Sequence, residues 1–530
     1  MRLKPFYLLL VATVFSMATL LSTYAQDNKD HTSRYGGALV WGVTHKPTII
    51  NPIYTTYSVS MSLLDLIFNR MVRLNSQGEI EPDIAESWDV SPDGLVYTFH
   101  LRKGIKFHDG VECTADDVKF TYKNILNPKN GSPFRSLYEN IKEIRVINPV
   151  TVRFILNQPS PESIRLFTKE IVPGHILRGE PLINHPFNYH PIGTGPFRFR
   201  EWDKDGTITL IYNPDYYEGR PFLDTIIVKT YESSEDLWSA LMRGEVDFVL
   251  FLERKDYEVL KSDPAFKTFA IPADSYYALM YNIHDPLLSN TQIRQALAYA
   301  IDVHDIIERT AGGYGLQATG PFHPETLGFD PEVTPFPYDP QKAQSILKEQ
   351  GWKDKDNDGI LEKDNQRFIL KVLVDSRNQI YKTIAMILRQ QLQSIGIELQ
   401  VILYDDERTL TKAFIEYHQP QAHLRLFLGN TIFNIKEDWA TNQFRGADKL
   451  WIYNNPTIIQ LFKEGETLKG KNEREKVYQQ IHRLLYKEQP ACFFYFREDF
   501  HAISSRISNV KLFFTLSMPY YTIKNWYIKK

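Results

Sequence analysis

The sequence predicts an α/β protein of more than one domain, and three observations carry that prediction. The first is length. At 530 residues the chain exceeds what one ordinary hydrophobic core organises, so two or three domains are expected. The second is composition, since 43% hydrophobic and 24% charged residues are the proportions of a globular chain. The third is a βαβ pattern at 368–404. Phe368 to Val374 is an apolar strand, a helix follows to Ile395 and is closed by Gly396, and Glu398 to Tyr404 is a second strand. Such a unit builds a parallel pair.

The remaining elements follow in order. Arg2 and Lys4 precede an apolar run from Phe6 to Leu21, and Thr23-Tyr24-Ala25 offers small residues where a signal peptidase reads. Residues 1–25 therefore read as a cleavable secretory signal, leaving Gln26 first. The alternative is an uncleaved anchor, for which the apolar run is short. No cysteine lies near the leader, so a lipidated N-terminal cysteine is not expected. Residues 26–35 are a polar lead-in. Gly36 to Gly42 reads as a strand, and Pro47, Asn51 and Pro52 mark an irregular loop after it.

Pro92-Asp93-Gly94 is a turn, because proline presets φ and glycine accepts positive φ. Tyr97, Phe99 and Leu101 alternate at strand spacing. Thr114 and Asp117 have the spacing of a capping box, and Val118, Tyr122 and Ile125 continue at helical spacing. Gly193 and Gly195 beside Pro196 permit a sharp path into the strand Phe197-Arg-Phe199. A phosphate cradle would need a helix after that loop, and a strand follows instead. Ser234 to Arg243 is a short helix ended by Gly244. Ile293, Ala296, Leu297, Ala300 and Ile301 form an amphipathic stripe. Asp339 and Pro340 start a helix that Gly351 stops. A last helix at about 473–487 precedes a strand at 491–496.

Three blocks recur in order: Ala85-Glu-Ser-Trp88 through Tyr122, Pro191-Ile-Gly193-Thr-Gly195-Pro through Asp224, and Arg294 through Asp302. With them the chain after residue 36 resembles the peptide- and nickel-type solute-binding proteins of bacterial ABC importers, solute-binding protein family 5. The resemblance implies a two-lobed periplasmic-binding-protein-like fold of type II, the large peptide-binding class, with an extra subdomain. It implies a discontinuous lobe I (36–63, 191–274 and 491–530), a subdomain at 64–190 packed on it, and lobe II at 275–490.

The resemblance also implies function: capture of a peptide or peptide-like solute between the lobes, delivery to an ABC permease in the membrane, and a periplasmic monomer without covalent chemistry. A nickel chelate, an oligosaccharide, an opine, or a sensor role are the alternatives. Peptide-binding relatives pair the ligand α-ammonium with an acidic residue of lobe II ahead of a Trp. The corresponding stretch here runs from Gly429 through Asn434, Glu437 and Asp438 to Trp439. Asn434 falls where the acid is usual if Trp439 is the family Trp, and a register shift would give that role to Asp438. The expected ligand-binding residues are His45, Thr48 and Asn51 in the first loop, Tyr281 and Asn282 at the start of lobe II, and Asn434, Asp438 and Trp439.

Other chemistry finds little support. The net charge of −3 and the lack of a basic stripe give no sign of nucleic-acid binding. No Gly-x-Ser-x-Gly elbow or His-Glu-x-x-His helix is present, so an enzyme is not expected. Cys113 and Cys492 read as buried free thiols, with a disulfide as the alternative. No cofactor is expected. Asp354-Lys-Asp356-Asn-Asp358-Gly359 begins like a calcium loop, but position 12 is Asn365 where a bidentate Glu belongs. A solvated turn is expected there, and a weak structural calcium site is the alternative.

Overall fold

The computed structural model describes residues 34–56, 58–75, 79–159, 161–406, 410, 420–429, 432–440, 453, 455–468, 470–512 and 522–529. The leader assigned to 1–25 lies outside the described residues. No described helix is long and apolar enough to cross a membrane.

The subdomain forms as its local chemistry dictates. Thr114 donates its amide to Asp117 Oδ2 at 2.9 Å, and its hydroxyl donates to the same oxygen at 3.1 Å. Asp117 Oδ1 accepts the Gly174 amide at 2.8 Å, so the start of helix Ala115–Leu126 also anchors a distant segment. That helix buries Val118, Tyr122 and Ile125. It packs beside a four-stranded antiparallel sheet in the order Ala85–Val90, Val96–Leu101, Thr151–Leu156, Ile141–Asn148. Tyr97, Phe99 and Leu101 point inward as their alternation requires. The subdomain shares one continuous core with lobe I, which includes Trp41, Ile226 and Trp526. Gly193 and Gly195 sit on this seam. Gly195 donates its amide to the Ile67 carbonyl at 2.8 Å, and a Cβ on Gly195 would lie 2.5 Å from the Ile67 carbonyl carbon.

One 11-stranded sheet runs through both lobes. Its main order is Glu398–Tyr404, Ile369–Asp375, Ala422–Leu428, Phe266–Tyr281, Ala491–Ser504, Phe248–Leu252, Ala38–Val43, Thr225–Thr230, Ile208–Tyr212 and Phe197–Trp202. Ile369–Asp375 and Glu398–Tyr404 are parallel and flank helix Gln379–Gln393, the βαβ unit of the sequence.

Two long antiparallel strands, Phe266–Tyr281 and Ala491–Ser504, cross between the lobes. Phe266–Pro272 pairs with Glu498–Ser504 on the lobe I side, and Tyr276–Met280 pairs with Ala491–Phe496 on the lobe II side. The register shifts between Pro272 and Tyr276. The cores divide in the same way. Ile503 belongs to the lobe I core, whereas Ala491 through Phe496 divide between the two cores of lobe II. The sequence boundary at 491 thus assigns to lobe I six residues whose side chains pack in lobe II. The apolar run reads as one strand, and nothing in its pattern marks where it changes lobe.

Lobe II is a sheet between two helix layers. Thr291–Ala300, Val303–Ala311, Pro340–Glu349 and Gln379–Gln393 cover one face, and Ile432–Ala440, Pro456–Thr467 and Lys471–Glu488 cover the other. Arg294, 4% exposed, donates to the carbonyls of Leu288, Glu488 and Gln489 at 2.6, 2.6 and 2.9 Å and so joins the two layers. Cys113 and Cys492 are buried free thiols in different cores.

Candidate functional site

In open α/β sheets, ligands bind outside the carboxyl ends of the parallel strands, where strand order reverses. Each lobe has such a place. Ala38–Val43 lies between Thr225–Thr230 and Phe248–Leu252 and is parallel to both. Ile369–Asp375 lies between Glu398–Tyr404 and Ala422–Leu428 and is parallel to both.

The crossing strands turn these two edges toward each other. Leu252 pairs with Phe500, which pairs with Ala270. Leu428 pairs with Ser275. Strand directions then send the carboxyl ends of lobe I toward lobe II, and those of lobe II back toward lobe I. Extended chain from 270 to 275 spans roughly 17 Å. The junction between the lobes is therefore the candidate site.

Two cavities open at this junction, the first lined by lobe I and the second by both lobes. One, of about 320 Å³, is lined by Thr44, His45, Ser62, Trp238, Glu253 and Asp256 among others. The other, of about 330 Å³, draws Arg254 from lobe I, Tyr277, Thr310 and Tyr314 from lobe II, and Arg497 from a crossing strand. Phe251 and Leu252 border both. Phe251 has φ +58° and is 49% exposed. A bulky residue in the left-handed region is a real outlier, and such strain concentrates at ligand sites. Its ring meets His501 edge-on at 5.6 Å, and its amide donates to His501 Nδ1 at 3.4 Å. Burial pushes His501 down to about 4, which keeps that ring neutral and able to accept.

The lobe II wall begins at Leu428, 67% exposed, and Gly429, whose φ is +85°. Helix Ile432–Ala440 follows. Asn434 and Asp438 stand four residues apart and share one helical face. The Asn434 side-chain Nδ2 donates to the Leu428 carbonyl at 3.4 Å, tying the helix to the strand end. Burial pushes the Asp438 carboxyl up to about 7, with Arg425 opposing the shift and Glu437 adding to it. Trp439 is 1% exposed, donates Nε1 to Tyr276 Oη at 3.1 Å, and stacks on Phe427 at 5.5 Å. It supports the helix from behind.

The structure brings some expected residues to the junction and not others. His45 lines the first cavity, Asn434 and Asp438 lie on helix Ile432–Ala440 just after the strand end at Leu428, and Trp439 is buried in the lobe II core. Thr48 is exposed in the loop beyond, where its amide donates to Ser60 Oγ at 3.2 Å. Asn51 is buried; its Oδ1 accepts the Ile53 amide at 2.9 Å and its Nδ2 donates to Asn188 Oδ1 at 2.7 Å. Tyr281 and Asn282 sit at the far end of a crossing strand, both 2% exposed. Tyr281 belongs to the lobe II core, and Asn282 Oδ1 accepts the His284 amide at 3.1 Å. Phe251 and Glu253 line the first cavity and were not expected from the sequence. Phe251 lies within the unbroken apolar strand Phe248–Leu252, and no pattern signals a left-handed residue there.

A family profile described as "Bacterial extracellular solute-binding proteins, family 5 Middle" matches residues 79–446. The chain belongs to this family. It is 28% identical to the oligopeptide-binding protein AppA of Bacillus subtilis, with all of both chains covered. It is 27% identical to heme-binding protein A of Haemophilus influenzae over 92% of this chain and 93% of that one. The solved AppA structure, in complex with a nonapeptide, matches with TM-score 0.72 at 29% identity, covering 94% of this chain and 100% of that one. NikZ of Campylobacter jejuni in complex with Ni(L-His) matches with TM-score 0.74 at 26% identity, covering 92% and 99%. The two-lobed solute-binding fold expected from the sequence is thus the fold of solved relatives, and the chain is a solute-binding protein.

Proposed function

We propose that this solute-binding protein captures a peptide or peptide-like solute between its lobes and delivers it to the membrane permease of an ABC importer. The observation that carries the reading is the convergence of both lobes' carboxyl strand ends on one junction spanned by only two described strands. A solute that touches both edges favours the closed arrangement by its differential affinity for it. No bond need form or break. The resemblance to AppA supports a peptide, and the junction's groups suit one. Asp438 offers an acid for an ammonium, and Leu428-Gly429 ends a strand whose backbone can extend onto an extended ligand.

We infer that the protein works outside the cytoplasm after removal of residues 1–25, as a monomer. The working test is native mass spectrometry of protein purified from its host without denaturation. A retained species with peptide mass and fragmentation supports the reading. A retained metal chelate or sugar overturns the peptide assignment.

A further inference from the structure

The hairpin at the amino end of strand Ile369–Asp375 lies at the end opposite the junction. It holds Asp354, Asp356, Asp358 and Glu362, whose ligand oxygens all lie within 4.8 Å of one another. The loop's own backbone orients each carboxylate. Asp354 Oδ2 accepts the Gly359 amide at 3.0 Å, and Asp356 Oδ1 accepts the Asp358 amide at 3.2 Å. Asp358 Oδ1 accepts the Ile360 amide at 2.9 Å, and Glu362 Oε2 accepts the Lys355 amide at 2.9 Å. Arg367 pairs with Asp358 Oδ2 at 2.7 Å and offsets one of the four charges.

Glu362 differs from the three exposed aspartates. It is 9% exposed, and its Oε1 is buried without a hydrogen-bond partner. A buried carboxylate oxygen with no donor is costly, and beside three more carboxylates the cost rises. A cation at the cluster removes both penalties. Oxygens that share one calcium at 2.3–2.6 Å lie at most about 5 Å apart, which matches the spacing here. The donors are all hard carboxylate oxygens, which suits calcium rather than zinc or copper.

We propose that Asp354, Asp356, Asp358 and Glu362 bind one calcium ion, with Glu362 at the ninth loop position doing what a Glu at the twelfth does in an EF-hand. The missing acid at Asn365 is thus replaced from within the hairpin. The Glu362 backbone pairs with Lys353 and Arg367, so the ion would brace the hairpin against the end of helix Pro340–Glu349.

The test is calorimetric titration of the full chain, freed of metal, with calcium chloride and separately with magnesium chloride. One calcium per chain is expected, with Kd between about 10⁻⁵ and 10⁻³ M, and magnesium binding at least tenfold more weakly. Glu362→Gln and, independently, the exposed Asp356→Asn should each weaken calcium at least tenfold, with wild-type circular dichroism confirming their fold. No saturable calcium heat at millimolar concentration overturns the proposal. So does unchanged affinity in both variants, or equal binding of magnesium.

Discussion

If Asp438 receives the ligand ammonium, binding must depend on pH in a way the structure fixes. Burial raises this carboxyl to about 7 in the free protein, so it is mostly protonated below neutrality. An ammonium pairs with the anion, and binding then expels the proton. The sign follows: affinity rises as pH rises toward 7. With a free-protein value of about 7, the ionised fraction is about 0.03 at pH 5.5 and 0.5 at pH 7. Kd should therefore fall about fifteenfold across that range, while a peptide α-amino group stays charged. Buried His501 and His423, held down to about 4 and about 3, do not titrate in this window. Exposed His45 is a histidine on the lobe I wall, so the series is repeated in His45→Gln. The assay is calorimetry with the peptide recovered from the cleft, in buffers of differing ionisation enthalpy. About one proton should be released per ligand at pH 5.5. Asp438→Asn should flatten the profile and weaken the free amine toward its N-acetylated form. A flat wild-type profile, or an unchanged slope in Asp438→Asn, refutes the ammonium pairing.

Other expectations concern stability and processing. Gly195→Ala should destabilise by about 2–3 kcal/mol or prevent folding, because its Cβ meets the Ile67 backbone, which cannot yield as a side chain would; urea melts measure it. Arg294→Ala should cost about 3 kcal/mol or more by stranding the buried carbonyls of Leu288 and Gln489, and Arg294→Lys should restore only part of that. N-terminal sequencing of protein from its host should begin near Gln26, and a chain that starts at Met1 would refute the leader assignment.

The sequence displayed what depends on local pattern. The Thr114–Asp117 cap, the Asp339 cap that accepts the Lys342 amide at 2.8 Å, and the βαβ unit all stand where spacing placed them. Each is decided by neighbours a few residues away. The site was legible only in part, because it is assembled by long-range pairing. His45 and helix Ile432–Ala440 lie almost four hundred residues apart, in lobes joined through the crossing strands. Tyr281 and Asn282 were expected to touch ligand because they stand at the start of lobe II, yet lobe II folds over them. Phe251 was hidden for a conformational reason, since residue type predicts an ordinary strand φ. The proximity of Glu362 to the three aspartates was not legible, because it depends on how the hairpin folds back on itself.

The placement of Ala491–Ser504 inside the sheet has a consequence for the order in which the molecule is made. This strand is synthesised more than two hundred residues after the two strands it separates, Phe266–Tyr281 on one side and Phe248–Leu252 on the other. Until it arrives, both of those strands show an open edge, and each lobe lacks part of its core. A chain that has emerged only as far as Glu488 cannot complete either lobe. Its closing contacts join residues more than two hundred positions apart, which delays folding relative to synthesis. On the export proposed above, that delay would let the chain reach the translocation machinery before its two halves can lock.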